Sequence, residues 1–235
     1  MWVARRFARV AASALAEAPA KEETDRGRPL VGPSGREFDR AVQAVGGLRG
    51  QFAIDNAASC MVPKADMDAY TSWLQAENRR RAKRSLAPFP HPLTCCAPRR
   101  NRIIARFDRV VTLGGTAARA LLGPVSIMDI RGAPAEATIT VPDGAGGERD
   151  HTVAVLPTVH PAFVLRRKRW TSVFRADIGR ALRWADHRLN WRDPEITYNP
   201  SPADLAAFLH SAKAIAYDVE TDGLEPLTCN VRTIQ

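Results

Sequence analysis

One pattern constrains the fold of this chain more than any other: a short apolar strand that ends in a polar or glycine-rich loop. It is clearest at Arg109–Leu113 (RVVTL), where a glycine pair leads into the helical segment 116–122. Residues 52–56 and 153–161 repeat the change from apolar strand to polar loop. Strands that alternate with helices form parallel sheets covered on both faces, and their loops meet at one edge. The sequence therefore predicts an α/β fold, a three-layer α/β/α sandwich around a central parallel sheet, with the functional site along that edge.

Other segments give local predictions. Residues 11–15 predict a strand, residues 21–29 a loop and residues 36–45 a helix, from apolar spacing and from glycine and proline content. Two segments interrupt the alternation of strands and helices. Residues 67–92 predict a helical insertion with an extended, proline-rich return, and residues 134–150 predict a hairpin with a glycine-rich tip.

The charge of the chain indicates the class of its partner. The formal net charge is +9 and the isoelectric point is near 10, which favours a polyanion such as DNA over a neutral metabolite. No stretch is long and apolar enough to span a membrane, and the basic start is a poor secretory signal. The cysteines lack the spacing of a secreted disulfide scaffold. We therefore expect a cytoplasmic, monomeric protein that does not bind membranes.

Several short motifs follow one another in a fixed order between residues 15 and 182. In chain order they are 16–20 (AEAPA) with the acidic segment 21–25, 27–35 (GRPLVGPSG), 55–60 (DNAASC), the strand Arg109–Leu113, 131–132 (RG) and 158–166 (TVHPAFVLR). Together they resemble the uracil-DNA glycosylase superfamily, and most closely its iron–sulfur branch, family 4. The resemblance implies the α/β sandwich and an N-glycosylase that removes uracil from DNA in base-excision repair.

The resemblance also implies roles for three side chains. The uracil has to leave the base stack before its glycosidic bond can be reached, so the enzyme needs a pocket that recognises the extruded base. Asn56 would read the Watson–Crick edge, and His160 would donate a hydrogen bond to uracil O2 as negative charge collects on the leaving base. Glu17 would orient or deprotonate the attacking water and stabilise the sugar cation. We expect all three to lie in one pocket sized for a single pyrimidine.

Further residues follow from the same resemblance. Leu165 and Arg166 would enter the duplex and fill the space left by the flipped nucleotide. Leu30 would contact the base, at a position where the family usually has a stacking phenylalanine. Ala16 and Ala20 stand where the family has glycines, which adds methyl groups where backbone should approach the substrate. These three departures favour an alternative, a catalytically inactive glycosylase fold that binds DNA and tethers a downstream exonuclease or polymerase.

The iron–sulfur branch holds a [4Fe–4S] cluster with four thiolates. By resemblance Cys60 and Cys96 correspond to two of these ligands, and no cysteine precedes Cys60. Cys95 is adjacent to Cys96, a poor geometry for a second ligand of the same cluster. Either the sequence lacks an upstream segment, or Cys60 and Cys96 are remnants that behave as small buried residues. The set is incomplete in both cases.

The insertion carries a basic run at residues 79–84 (RRRAKR), with His91 downstream. Its composition resembles a branch of the superfamily in which a histidine on a basic loop traps the abasic sugar covalently. The alternative is a solvated basic helix. We favour the helix, with contact to DNA phosphates as its use.

The end of the chain has a different pattern. Residues 215–224 (IAYDVETDGL) resemble the first motif of DEDD-type 3′–5′ exonuclease domains, found ahead of family A DNA polymerases. The resemblance implies that Asp218 and Glu220 would hold Mg²⁺, with the other carboxylates of the site outside this sequence. We expect a glycosylase domain at residues 1–190, a linker at 191–212 and an incomplete exonuclease start at 213–235. A nucleotide-cofactor enzyme is disfavoured because no Gly-x-Gly-x-x-Gly or Walker-type loop follows any strand.

Overall fold

A computed structural model of the chain describes residues 12–62, 66–185, 195–215, 219–222 and 231–234. The chain forms two compact units, Met1–Trp191 and Arg192–Gln235. Among the described residues, the first unit contains a five-stranded sheet, and the second contains a helix and a two-stranded sheet.

The sheet of the first unit is mostly parallel. Its strands are β1 (Ala12–Ala16), β2 (Phe52–Asn56), β3 (Arg109–Leu113), β4 (Ala135–Pro142) and β5 (Glu148–Thr158). The spatial order is β2-β1-β3-β5-β4, and every pair is parallel except β4 with β5. Parallel strands end at the same edge, so the loops that follow β1, β2 and β5 meet there. The predicted strands at 11–15, 52–54 and 109–113 are confirmed to within a few residues.

Helices connect these strands. In chain order they are α1 (Lys21–Arg26), α2 (Pro33–Ala44), α3 (Met67–Ala82), α4 (Pro92–Cys95), α5 (Ala97–Ile104), α6 (Gly115–Leu122), α7 (Ile127–Ile130), α8 (Pro161–Arg166) and α9 (Thr171–Ala185). Short 3-10 turns lie at Arg49–Gln51 and Lys168–Trp170. The helix expected at residues 36–45 is confirmed as the longer helix α2.

Both faces of the sheet are covered, as a three-layer sandwich requires. Phe38 of α2 and Phe174 of α9 are fully buried in a cluster with Val111 of β3. Ile104 of α5 packs in a second cluster, which includes Val110, the neighbour of Val111 in β3. Successive residues of a strand point to opposite faces, so one strand contributes to both cores. The predicted α/β/α sandwich is confirmed.

The hairpin predicted at residues 134–150 is confirmed, but its second strand is longer than expected. β5 begins in the exposed hairpin arm and runs on into the buried centre of the sheet. Asp143 closes the glycine-rich tip, because its Oδ1 accepts hydrogen bonds from the backbone N–H groups of Ala145 and Gly147. The second arm of the predicted hairpin and the core strand predicted from residue 153 are therefore parts of one continuous strand, β5.

The loop predicted at residues 21–29 is wrong in part, because residues 21–26 form α1. The Glu23 carboxylate accepts hydrogen bonds from the backbone N–H of Ala20 at 3.0 Å and of Leu30 at 2.8 Å. Gly27 ends the helix in the left-handed region at φ 61°. The buried carboxylate of Glu23 thus holds both ends of the segment in place. The helix was not predicted because residues 21–26 are mostly charged and show no apolar periodicity.

The predicted helical insertion is α3, followed by an extended return to α4. In the second unit, α10 (Pro202–Ser211) lies within the segment expected to be a linker. Ser201 caps it by accepting from the Asp204 N–H, with proline at the first helical position. The strands β6 (Val219–Thr221) and β7 (Val231–Ile234) pair antiparallel. Within the described residues, no helix meets the length and apolarity that a membrane span requires.

Candidate active site

A cavity of about 310 Å³ opens at the edge where the parallel strands end. Its wall is formed by the residues after β1, the end of β2, the loop before α2 and the start of α8. The predicted site residues on this wall are Glu17, Leu30, Asn56, His160 and Arg166. Residues far apart in the sequence therefore share one hollow because the strands that carry them end side by side.

Glu17 follows the last residue of β1 and is half-buried. Its Oε1 accepts a hydrogen bond from the Met67 N–H at 3.1 Å, and its side chain also bonds to Thr116. Burial raises the pKa of Glu17 above its usual value, and the negative charges of Asp68 and Asp66 act in the same direction. A carboxylate with a raised pKa, at a cavity wall, is suited to accept a proton.

His160 caps the N-terminus of α8. Its Nδ1 accepts a hydrogen bond from the Ala162 N–H at 3.1 Å, so a neutral ring carries its proton on Nε2. Burial lowers the pKa of His160 to about 4, and the charge of Arg166 adds to this. At neutral pH the imidazole is therefore uncharged and has an Nε2–H available to donate. Gly114, at φ 95°, lies so close that a Cβ there would be 2.8 Å from the Cβ of His160.

Asn56 ends β2 beside the end of β1. Ala16 pairs with Asn56 in the sheet register, and the Ala57 N–H donates to the Ala16 carbonyl at 2.8 Å. Arg99 of α5 binds the Asp55 carboxylate and donates to the Asn56 carbonyl at 3.0 Å. Asn56 is 7% exposed, yet its side-chain Oδ1 has no hydrogen-bond partner among the described residues. A buried acceptor without a partner is costly unless a ligand satisfies it.

Leu30 has an unusual backbone. It is buried and lies at φ 50°, in the left-handed region that non-glycine residues rarely adopt. Its N–H donates to Glu23, and its carbonyl accepts from Arg49 at 2.9 Å. Gly35 passes directly beneath, because a Cβ there would lie 1.8 Å from the Leu30 carbonyl oxygen. The loop that carries Leu30 is thus fixed from three sides.

A buried polar network holds the loop that carries His160. The Asp177 carboxylate of α9 accepts a hydrogen bond from the Thr158 hydroxyl at 2.8 Å and two from Arg131, at 2.9 and 2.8 Å. Arg180 donates to the Gly132 carbonyl at 2.8 Å. Sequence analysis identified the Arg131–Gly132 pair by resemblance but missed Asp177. The available signal was an aspartate on the apolar face of α9, between Phe174 and Ile178.

The two residues predicted to enter DNA differ in position. Arg166, at the end of α8, is exposed and lines the cavity. Leu165 is half-buried on the same helix and is absent from the cavity wall. Only Arg166 therefore borders the hollow in this structure.

The segments that carry Cys60 and Cys96 meet in space. The Cys96 Sγ accepts a hydrogen bond from the N–H of Ser59 at 3.2 Å, beside Cys60. Cys60 and Cys95 are exposed and Cys96 is half-buried. Among the described residues, however, no three His, Cys, Asp or Glu side chains group closely enough to hold a metal. Cys60 and Cys96 alone do not meet the four-thiolate requirement of a [4Fe–4S] cluster.

A second cavity, of about 380 Å³, lies beside the first and shares Pro19, Glu23 and Asn56 with it. Arg28 and Arg99 add positive groups to its wall. Its remaining boundary includes the segment that carries Cys60.

His91 lines neither cavity. Its Nδ1 accepts from the Leu93 N–H at 3.2 Å, and its Nε2 lies 2.8 Å from the Thr71 hydroxyl. Both ring nitrogens are thus occupied by structural contacts, which favours the solvated-helix interpretation of the insertion. Asp218 lies outside the described residues, and Glu220 lies on β6.

Comparisons with known proteins match most of the first unit. The family model described as Uracil DNA glycosylase superfamily matches residues 12–183. A type-4 uracil-DNA glycosylase from Pyrobaculum aerophilum is 27% identical over 166 residues, which cover 70% of this chain and 72% of that protein.

Proposed function

The chain belongs to the uracil-DNA glycosylase superfamily, and from this premise we propose that it hydrolyses the N-glycosidic bond of deoxyuridine in DNA. The observation that carries the proposal is the shared cavity of Glu17, Asn56 and His160. These side chains supply a carboxylate, a carboxamide and a neutral imidazole, the groups that the reaction needs at three different points of the substrate.

Asn56 accounts for recognition of uracil. Its unpartnered Oδ1 accepts from the uracil N3–H, and its amide nitrogen donates to O4. Cytosine presents an acceptor at N3 and a donor at the 4-position, so the same amide orientation leaves both groups mismatched. Since unpaired buried polar groups cost about 1–3 kcal/mol each, the discrimination is substantial.

His160 accounts for departure of the base. As the bond between N1 and C1′ breaks, its electron pair moves onto the uracil ring and charge builds on O2. The Nε2–H donates to O2, and in a site shielded from water such a donor is worth far more than in solution. Because burial keeps the ring neutral, the donor does not depend on protonation at physiological pH.

Glu17 accounts for the attack of water. Its carboxylate orients a water molecule at C1′, stabilises the positive sugar and accepts the proton as the hydroxyl group joins C1′. The Met67 N–H and Thr116 hold the carboxylate in place. Arg166 at the rim binds a flanking phosphate, and Leu165 fills the space that the base vacates.

The test is strand cleavage of a uracil-containing oligonucleotide by alkali after incubation with the protein. Wild type should produce abasic sites at uracil and none at cytosine or thymine. His160→Ala should lose base release while its affinity for DNA stays nearly unchanged. DNA binding by the wild type without abasic-site formation would instead support the inactive DNA-binding module.

Cys60 and Cys96, the incomplete set of cluster ligands, take part in no step of the proposed hydrolysis. Iron and sulfide analysis of anaerobically purified protein tests it directly. Because Cys60 and Cys96 supply two of the four thiolates that a [4Fe–4S] cluster requires, we expect less than one cluster per chain. A stoichiometric cluster would require ligands beyond this pair.

We further propose that the second unit is the beginning of a 3′–5′ exonuclease domain joined to the glycosylase, as part of a polymerase or proofreading module. The motif at residues 215–224 supports this, as does the presence of β6 at Glu220. The described residues contain no cluster of acidic ligands for Mg²⁺. The test is Mg²⁺-dependent release of 3′ nucleotides by wild type and by Glu220→Gln: release that depends on Glu220 would support the proposal, and release that the variant retains would contradict it.

A further inference from the structure

Helix α3 leads away from the active site. Its first residue, Met67, donates its N–H to the Glu17 carboxylate, and its next residue, Asp68, forms an ion pair with Arg119 of α6. The helix continues for 16 residues to Ala82, a length of about 24 Å at 1.5 Å per residue. Whatever binds along α3 is therefore continuous with the base cavity at one end.

The far end of α3 is basic and exposed. Arg79, Arg80, Lys83 and Arg84 are all exposed, and among the described residues only Glu77 pairs with one of them, at 3.4 Å from Arg80. Such a group of cations attracts phosphates, because binding releases the counterions of the nucleic acid.

An exposed aromatic ring lies between the cavity and this basic end. Trp73 is 50% exposed and packs against Tyr70 with ring centroids 5.4 Å apart. Arg80 is seven residues further along, so the two side chains lie on the same side of the helix. An exposed tryptophan offers a ring face on which an unpaired base can stack, and cations on the same side of the helix can bind the phosphates of that strand. Trp73, Arg79, Arg80, Lys83 and Arg84 are called the α3 surface below.

The α3 surface is preformed. Asn78 exchanges two hydrogen bonds with the backbone of Phe89, at 2.9 and 2.8 Å. Arg81 donates to the Ala87 carbonyl at 2.6 Å and stacks on the Phe89 ring at 3.9 Å. These contacts fasten the return segment to the helix, so little ordering is needed when a ligand binds.

We propose that the α3 surface binds the unpaired DNA strand on one side of the flipped uracil, with a base stacked on Trp73 and phosphates on the four cations. The proposal rests on the proposed function, because it takes the cavity as the uracil site. Paired bases have both faces covered by their neighbours, so a stacking residue indicates single-stranded substrate. From Met67 to Arg80 the helix rises about 20 Å, so only a flank of several nucleotides reaches from the cavity to the basic end.

Binding is measured by fluorescence anisotropy with single-stranded oligonucleotides that carry one uracil and a flank of two or eight nucleotides on either side. Wild type should bind and excise better when one particular flank is long. Trp73→Ala should weaken single-strand binding about tenfold, whereas Trp73→Phe should retain most of it. Arg80→Ala should reduce the slope of log affinity against log salt by about 0.7.

Arg40→Ala is the matched control, because Arg40 is also exposed on a helix and also pairs with a glutamate three residues earlier. It should leave the salt slope and the flank dependence unchanged. Urea unfolding of every variant checks that the fold is intact.

The outcomes separate the two proposals. If wild type excises uracil but Trp73→Ala and Arg80→Ala behave like wild type with every flank, the α3 surface is not the strand site. An equal loss on duplex and single-stranded DNA would also overturn it, in favour of duplex contact. If wild type excises nothing, the proposed function fails, and the anisotropy experiment still decides whether α3 binds DNA.

Discussion

The Thr158 hydroxyl donates a hydrogen bond of 2.8 Å to the buried carboxylate of Asp177. Thr158 lies two residues before His160, and its carbonyl accepts from the N–H of Gly114. A helix on one face of the sheet thereby sets the position of a side chain at the sheet edge.

Removal of the Thr158 hydroxyl and removal of the Asp177 carboxylate should both lower the free energy of unfolding, the second by more than the first. Thr158→Val removes one donor from a buried carboxylate, which should cost about 1–3 kcal/mol. Asp177→Ala leaves Arg131 without its partner and should cost about 3–5 kcal/mol. Urea unfolding measures both. Equal losses in the two variants would mean that Arg131 finds another partner.

The pH dependence of uracil excision should report Glu17. Its pKa is raised by burial and the ionised form is the active one, so kcat/KM should fall as pH drops through a value above 4.5. His160 stays neutral until about pH 4 and should not set this limb. The fall of kcat/KM at low pH should remain in His160→Gln and should be absent in Glu17→Gln. If the fall of kcat/KM at low pH disappeared in His160→Gln, it would be assigned to titration of the histidine instead.

Stability should also depend on His160. Because its folded pKa of about 4 lies below the usual 6.5, the unfolded chain binds the proton first as pH falls. The free energy of unfolding should therefore decrease between about pH 6.5 and pH 4, by up to about 3 kcal/mol. The difference between wild type and His160→Gln, measured in urea at several pH values, isolates this contribution from the other titrating groups. A constant difference across that range would show that the ring is solvated.

Asn56→Leu should separate stability from function. The substitution removes a buried acceptor that has no partner among the described residues, so the free energy of unfolding should rise or stay level, by up to about 2 kcal/mol. Excision of uracil should fall at least a hundredfold, because both contacts to the base edge are lost. Urea unfolding and the alkali cleavage assay measure the two effects. A clear loss of stability would reveal a partner for Oδ1.

Gly114→Ala should displace His160. The new Cβ would lie 2.8 Å from the Cβ of His160, and the residue has φ 95°. A displacement of about 1 Å in a reacting group costs about a hundredfold in rate. Gly123→Ala is the control, since Gly123 also has positive φ, at 77°, but has nothing within 4 Å of the added Cβ. Both variants should be destabilised by about 1–3 kcal/mol, and only Gly114→Ala should lose excision.

Part of the site followed from the sequence because its chemistry is local. The family resemblance named Glu17, Asn56 and His160, and each lies at the end of a parallel strand or within two residues of it, so the parallel-sheet rule already predicted one shared edge. The positions of Cys60 and Cys96 were also named from sequence, and the bond from the Ser59 N–H to Cys96 brings their segments together.

Other features could not be predicted because they depend on contacts between distant segments. The position of Asp177 on the apolar face of α9 signals burial but does not identify its partners, because Arg131 and Thr158 come from other elements. The charge-rich residues of α1 resembled a loop, and what holds this helix in place is the bond from the Leu30 N–H to the carboxylate of Glu23, seven residues away. The left-handed backbone of Leu30 depends in the same way on Arg49 and Gly35.

The sequence by itself determined the α/β alternation and the net charge of the chain, which depend on local pattern and composition, and its motifs named Glu17, Asn56 and His160 through the family resemblance. Only the tertiary structure decided the pKa of His160, the unpartnered oxygen of Asn56 and the support of Glu17 by the first residue of α3. Burial and hydrogen-bond satisfaction arise from packing between segments, and packing is not encoded at any one position of the chain.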